Sequence, residues 1–132
     1  LEGKEVLTKW RKLVLDVINS SEKPLNAEDI YRLNNFKPNL STVYRALNYL
    51  EKKSYISSVS FDGGTKYYFS KDKHFHFLYC TNCGKIEVFE ECMASELEKK
   101  IKSKFGYLIT DHVFYFKGLC KKCRKEVKGH EK

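Results

Sequence analysis

The stretch NAEDIYRLNNFKPNLSTVYRALNYLEKKSYISSVSFDGGTKYYF, residues 26–69, decides the fold of the first half of the chain. Its centre, Ser41–Glu51, carries Val43, Leu47 and Leu50 at spacings of three and four, the inner stripe of a helix. Tyr44, Arg45 and Asn48 fall on the opposite face, and Ser41 or Thr42 is placed to cap the start. Upstream, Asn26 can cap a shorter helix, with Glu28 and Asp29 at the positive end of its dipole and Ile30, Tyr31 and Leu33 as the buried face. Phe36-Lys37-Pro38-Asn39 separates the two, because proline disfavours helix in the residue before it. Downstream, Tyr55–Phe61 and Thr65–Phe69 are β-rich and flank Asp62-Gly63-Gly64, a hairpin signal because such turns need positive φ.

Working outward, Lys4–Asn19 places Leu7, Trp10, Leu13, Val14, Val17 and Ile18 on one helical face and is expected to stop near Asn19-Ser20-Ser21. Three helices and a hairpin are the element order of a winged helix-turn-helix. The second half changes period. His74–Cys80 reads as a strand with Lys85–Phe89 as its hairpin partner, Cys92–Phe105 as a helix with Leu97, Ile101 and Phe105 inward, and Val113–Lys117 as a last strand. Residues 121–132 read as a basic, frayed tail containing His130, to which no role is given. The expected fold class is α+β: a winged helix over residues 1–71 and a small α/β domain over 74–132.

The chain has 132 residues and a formal charge of +8, which suggests an anionic partner. That charge is evenly spread, four net positive charges in each of 1–73 and 74–132, so it does not say which half meets the partner. No apolar run approaches the roughly 20 residues of a membrane span, and the start LEGKE is no signal peptide, so a cytoplasmic protein without membrane contact is expected.

All five cysteines follow residue 79. Four form the pairs Cys80-Thr-Asn-Cys83-Gly84 and Cys120-Lys-Lys-Cys123. Two residues between cysteines let both thiolates of a tight turn reach one ion, and two such turns supply the tetrahedron of a structural Zn2+ site. A domain of this size needs such a staple. Two disulfides are the alternative, disfavoured in a reducing compartment, as is a thioredoxin-like redox pair, which expects one pair at a helix N-terminus.

Leu7-Thr8-Lys9-Trp10-Arg11, Ala27-Glu28-Asp29-Ile30-Tyr31, Ser41–Glu51, His74-x-His76-x-x-x-Cys80-x-x-Cys83-Gly84-Lys85, Gly106-Tyr107-x-x-x-Asp111-His112 and Gly118-x-Cys120-x-x-Cys123 together resemble the ferric uptake regulator family of metal-responsive repressors. The resemblance implies a homodimer formed through the C-terminal domains, binding a palindromic operator in double-stranded DNA. It makes Tyr44 and Arg45 the DNA contacts. The chemistry agrees: the Tyr44 ring suits a thymine methyl, the Arg45 fork suits guanine or phosphate, and Ser41, Thr42 and Asn48 suit phosphate or a base edge. The plainer alternative for Tyr44 is a helix residue packed on the wing.

Family members that sense iron, manganese or peroxide place His, Glu or Asp at five positions that here align with Pro24, Phe69, Phe75, Phe77 and Val88, none of them a metal ligand. A second family site is matched by His74, His76 and His112. Its fourth ligand is a carboxylate where this chain has Ser95. Cys92, three residues earlier on nearly the same helix face, is the preferred substitute and Glu96 the alternative. Three imidazoles and a thiolate favour zinc over harder metals. The alternatives are a small buried hydrophobe for Cys92 and an exposed strand pair for His74 and His76. The expected function is thus a zinc-sensing repressor resembling the zinc uptake regulator branch, not an enzyme and without a small organic substrate. Alternatives are a relative answering to iron, manganese or peroxide and, more remotely, a zinc-stapled interaction module or thiol redox protein.

Overall fold

The computed structural model describes residues 7–90, 92 and 94–126, and these divide into two compact units, Leu1–Lys73 and His74–Lys132. The expected helix start at Lys4, and residues 127–132 of the basic tail with His130, lie outside the described residues.

The first unit contains α1 (Lys9–Ser20), α2 (Ala27–Leu33), α3 (Leu40–Lys52), β1 (Ile56–Val59) and β2 (Tyr67–Ser70). Leu7 and Thr8 precede α1 instead of joining it, because the Thr8 side chain accepts from the Arg11 amide as an N-cap. Asn26 caps α2 through a capping box: its Oδ1 accepts from the Asp29 amide at 2.7 Å, and the Asp29 carboxylate accepts from the Asn26 amide at 3.3 Å. The cap of α3 differs from expectation. Asn39, not Ser41 or Thr42, accepts from the Thr42 amide at 2.9 Å and also holds the Ser41 hydroxyl at 2.9 Å.

The β1–β2 hairpin is shorter than its sequence signal, with Ile56 opposite Ser70 and Val59 opposite Tyr67, and its loop turns at Gly63, whose φ is +81°. Leu25 adds one antiparallel bridge to Tyr68, exchanging bonds of 3.0 and 2.7 Å. A single core runs through these elements: Val14 and Ile18 of α1, Ile30 of α2, Val43, Leu47 and Leu50 of α3, Ile56 of β1 and Tyr68 of β2 are all buried. Each such aliphatic side chain contributes about 1.5–3 kcal/mol by leaving water.

In the second unit, β3 (His76–Cys80), β4 (Ile86–Phe89), α4 (Ala94–Phe105), β5 (Tyr115–Gly118) and α5 (Lys121–Glu126) follow one another. The sheet order is β4-β3-β5, with β4 antiparallel and β5 parallel to the central β3. Several expectations need correcting. Val113 and Phe114 precede β5 instead of joining it, and His74 and Phe75 precede β3. Cys92 precedes α4, which starts only at Ala94. The tail forms the short α5 as far as Glu126, because Cys123 is buried and anchors it. Leu97 and Phe105, expected to face inward, are 51% and 64% exposed: the helical period marks an apolar stripe correctly, but of its three expected members only Ile101 is half-buried.

Candidate metal centres and nucleic-acid interface

The parallel register of β3 and β5 builds the first centre. Cys80 lies opposite Gly118, so the two strands end side by side and both Cys-x-x-Cys turns emerge at the same edge of the sheet. The first turn is closed by the Gly84 amide donating to the Cys80 carbonyl at 2.9 Å, with Gly84 at φ +80°; the second leads straight into α5. Cys80, Cys83, Cys120 and Cys123 converge, their sulfurs all within 4.8 Å of one another.

The Cys83 and Cys120 sulfurs are 3.9 Å apart. That is far beyond the ~2.05 Å of a disulfide. It is close to the ~3.8 Å between two tetrahedral ligands held ~2.3 Å from a zinc ion. All five cysteines are free. Electrostatics at the cluster favour a cation. Backbone amides of Cys120 and Cys83 donate to the Cys80 sulfur and pull its pKa down to about 6. The Asn82 amide donates to the Cys123 sulfur at 3.2 Å and pulls the same way, but burial and the three neighbouring sulfurs overcome it and push the Cys123 thiol up to about 12. The Cys80 sulfur readily carries charge while that of Cys123 resists it, a conflict that a divalent ion would remove by taking the place of the protons.

The second centre lies at the opposite end of β3. His74, His76, Cys92 and His112 bring their donor atoms within 4.8 Å of one another. The His112 Nε2 is 3.2 Å from the His74 Nε2 and 3.4 Å from the Cys92 sulfur. Tetrahedral nitrogens ~2.0–2.1 Å from one zinc ion would be separated by ~3.3–3.4 Å.

His76 supplies the sharpest evidence. It is fully buried, and neither ring nitrogen has a hydrogen-bond partner. Buried polar atoms are almost always satisfied, so an imidazole orphaned at both nitrogens marks a place where something binds. Burial, then the neighbouring His74 and His112, push its pKa down, so the ring is held neutral, the form in which histidine ligates metals. Phe77 is also fully buried, so β3 is covered on both faces at this end, which rules out an exposed strand pair for His76.

Glu96, the alternative to Cys92, stays exposed and outside the cluster. It sits in the first turn of α4, whereas Cys92, on the approach to that helix, reaches the histidines. Two participants escaped the sequence reading. Glu98 accepts from the His112 Nδ1 at 2.6 Å, a contact across fourteen residues that no spacing rule encodes. Asn82 could have been suspected as the polar residue inside the first Cys-x-x-Cys.

On the first unit, Tyr44 is 46% exposed and lines a cleft of about 380 Å³ with Asn26, Glu28, Thr65, Lys66 and Tyr68, between the start of α2, the outer face of α3 and the hairpin. Ser41, Arg45 and Asn48 are exposed and Thr42 half-buried. The Arg45 guanidinium donates to the Thr42 hydroxyl at 3.0 Å, which holds it along the exposed face of α3 toward the start of the helix. At the end of α3, the Glu51 carboxylate accepts from Ser58 of β1 at 2.6 Å and from the Lys66 ammonium at 2.9 Å, tying the helix to the hairpin loop.

A winged helix-turn-helix joined in one chain to a unit with two metal-competent clusters defines a class, the metal-responsive transcription regulators. The family model described as "Ferric uptake regulator family" matches residues 5–117, and the chain belongs to that family. It is 31% identical to the ferric uptake regulation protein of Campylobacter jejuni, over 90% of this chain and 80% of that protein. It is 34% identical to that of Bacillus subtilis, over 89% and 84%. Among solved structures it is similar to the Helicobacter pylori ferric uptake regulator, described as having three functional metal binding sites, at 27% identity and a TM-score of 0.73, covering 90% of this chain and 82% of that one. The Vibrio cholerae regulator follows at 28% and 0.72, covering 89% and 93%. The family is one of transcription regulators and not of enzymes. Among the described residues, no helix is long and apolar enough to cross a membrane.

Proposed function

We propose that this chain is a zinc-responsive, DNA-binding repressor that acts as a homodimer on a palindromic operator. The observation that carries the zinc reading is the buried, doubly orphaned His76 within a set of three imidazoles and a thiolate. Such a donor set suits zinc better than the harder iron(II) or manganese(II), which take more oxygen ligands. The four cysteines are assigned to a structural zinc, and His74, His76, Cys92 and His112 to the regulatory one.

When bound, a zinc ion supplies a cross-link among the donors. The chain's own residues do the rest. His74 and His76 come from the start of β3, Cys92 from the approach to α4 and His112 from the approach to β5, so the site closes only when these segments are gathered. A state in which they are gathered gains the ion's binding energy, and coupling to DNA follows if that state also binds the operator better. Ser41, Thr42, Tyr44, Arg45 and Asn48 are assigned to the DNA, with Tyr44 and Arg45 reading bases. The exposed Leu97 and Phe105 of α4 and the exposed Leu108, Val113 and Phe116 support a second copy as partner, since large apolar side chains left in water are stabilised by a covering surface.

Iron is the second reading, favoured by the curated relatives' name, ferric uptake regulation protein. Both are tested by selecting duplexes from a random pool with the metal-loaded protein, then measuring affinity for them against buffered free Zn²⁺, Fe²⁺ and Mn²⁺. Zinc-driven affinity that is lost in Cys92→Ala is expected. Affinity driven by Fe²⁺ and indifferent to Zn²⁺ would replace the zinc reading by the iron one.

A further inference from the structure

Helix α4 is poorly attached to its own unit. Of its described side chains only Ala94 is buried, while Leu97 and Phe105 face solvent. Among the described residues, one polar contact joins its side chains to the rest of the unit, the 2.6 Å bond between the Glu98 carboxylate and the Nδ1 of His112. The other ring nitrogen of the same imidazole points into the His74 and Cys92 donors.

We infer that Glu98 is a positioning residue that couples the His/Cys centre to α4. The inference rests on the proposed regulatory metal site and deepens it. A carboxylate can only accept, so His112 must place its proton on Nδ1, which leaves the Nε2 lone pair free and directed at the cluster. Histidines that ligate metals commonly have their second nitrogen fixed in this way by a carboxylate, which sets the tautomer, orients the ring and raises its basicity. At Ser95, one turn before Glu98, the chain has no carboxylate to offer. Glu98 therefore supplies the negative charge from behind the ligand instead of at the ion.

The same bond has a mechanical side. Ordering His112 in the centre orders Glu98, and Glu98 lies on the helix that carries the exposed Leu97 and Phe105. Occupancy of the centre would thus help fix the α4 surface through one hydrogen bond, and an empty centre would leave that surface held by Ala94 and the half-buried Ile101.

The test compares wild type, Glu98→Gln and Glu98→Ala in the full-length chain. Metal per chain is counted first, then zinc affinity is measured by chelator competition and amide hydrogen exchange is followed across α4 with and without zinc. Two zinc ions per wild-type chain are expected. Both variants should keep two at saturating zinc but bind the weaker one about 10–100-fold less tightly, and zinc-dependent protection of α4 should disappear in Glu98→Ala. Unchanged affinity in both variants, or α4 protection that drops equally with and without zinc, would overturn the coupling while leaving the metal site intact. One zinc ion per wild-type chain would instead remove the regulatory site on which the inference rests. Cys92→Ala separates the cases: it loses the weaker ion without altering Glu98.

Discussion

The two units are of similar length but are held together by different means. The first has a shared core of aliphatic and aromatic side chains drawn from three helices and the hairpin, with Ile30, Val43, Leu47 and Leu50 wholly out of water. In the second, the buried residues among those described are Phe77, Ala94, Cys80, Cys123 and His76, and three of these five belong to the candidate metal centres. Of its other large apolar side chains, Leu97, Phe105, Leu108, Val113 and Phe116 are exposed, while Val88, Phe89, Ile101 and Phe114 are half-buried. The first unit therefore gathers its hydrophobic residues into one core, whereas the second leaves several exposed and fills much of its interior with metal-competent donors.

The largest test of this contrast is metal removal. A strong chelator is expected to abolish cooperative folding of residues 74–126 while the first unit keeps its amide protection, because structural zinc contributes about 10–16 kcal/mol in small domains. Equal protection in both units after complete zinc loss would break the comparison. A smaller, reciprocal effect is expected from Leu47→Ala, which opens a cavity in the first core. The first unit should lose about 2–5 kcal/mol in denaturant unfolding with zinc content unchanged.

The smallest effect concerns the tie between α3 and the hairpin loop. Partial burial raises the Glu51 pKa, but the Ser58 hydrogen bond and the Lys66 ammonium outweigh it, so its carboxyl lies below the ordinary 4.5. A depressed pKa means stabilisation that is present above that ordinary value and lost as pH falls through the folded one. Lys66→Ala should cost about 0.2–1 kcal/mol near neutrality, because the pair is partly exposed. The difference from wild type in urea unfolding should shrink as the pH falls through the lowered pKa of Glu51 and its carboxylate takes up a proton. A penalty that persists there would show that Lys66 acts through packing and not charge.

What the sequence made legible follows the same division. The stripe of α3, the Asn26 cap, the hairpin at Gly63 and the order of elements are written in local spacing and turn chemistry. The convergence of four cysteines was readable because paired thiolates are rarely left without a purpose. Partners distant along the chain were not readable. Leu97 and Phe105 were expected inside because an apolar stripe does not say what covers it. Cys92 was placed on α4 by extending a helical period past Ala94, and Glu98 was missed because His112 lies on a separate loop. Asn39 outcompeted Ser41 and Thr42 as the α3 cap, a choice between neighbours of nearly equal propensity.

Strand β3 holds a donor of each centre at its two ends, His76 and Cys80, about 13 Å apart at ~3.3 Å per residue. Side chains alternate along a strand, so a slip of one residue against β4 and β5 would exchange His76 for Phe77 and Cys80 for Thr81, or, in the other direction, His76 for Phe75 and Cys80 for Tyr79. Both centres would lose a donor at once. A chain that pairs its strands one residue out of register would therefore keep neither donor set whole.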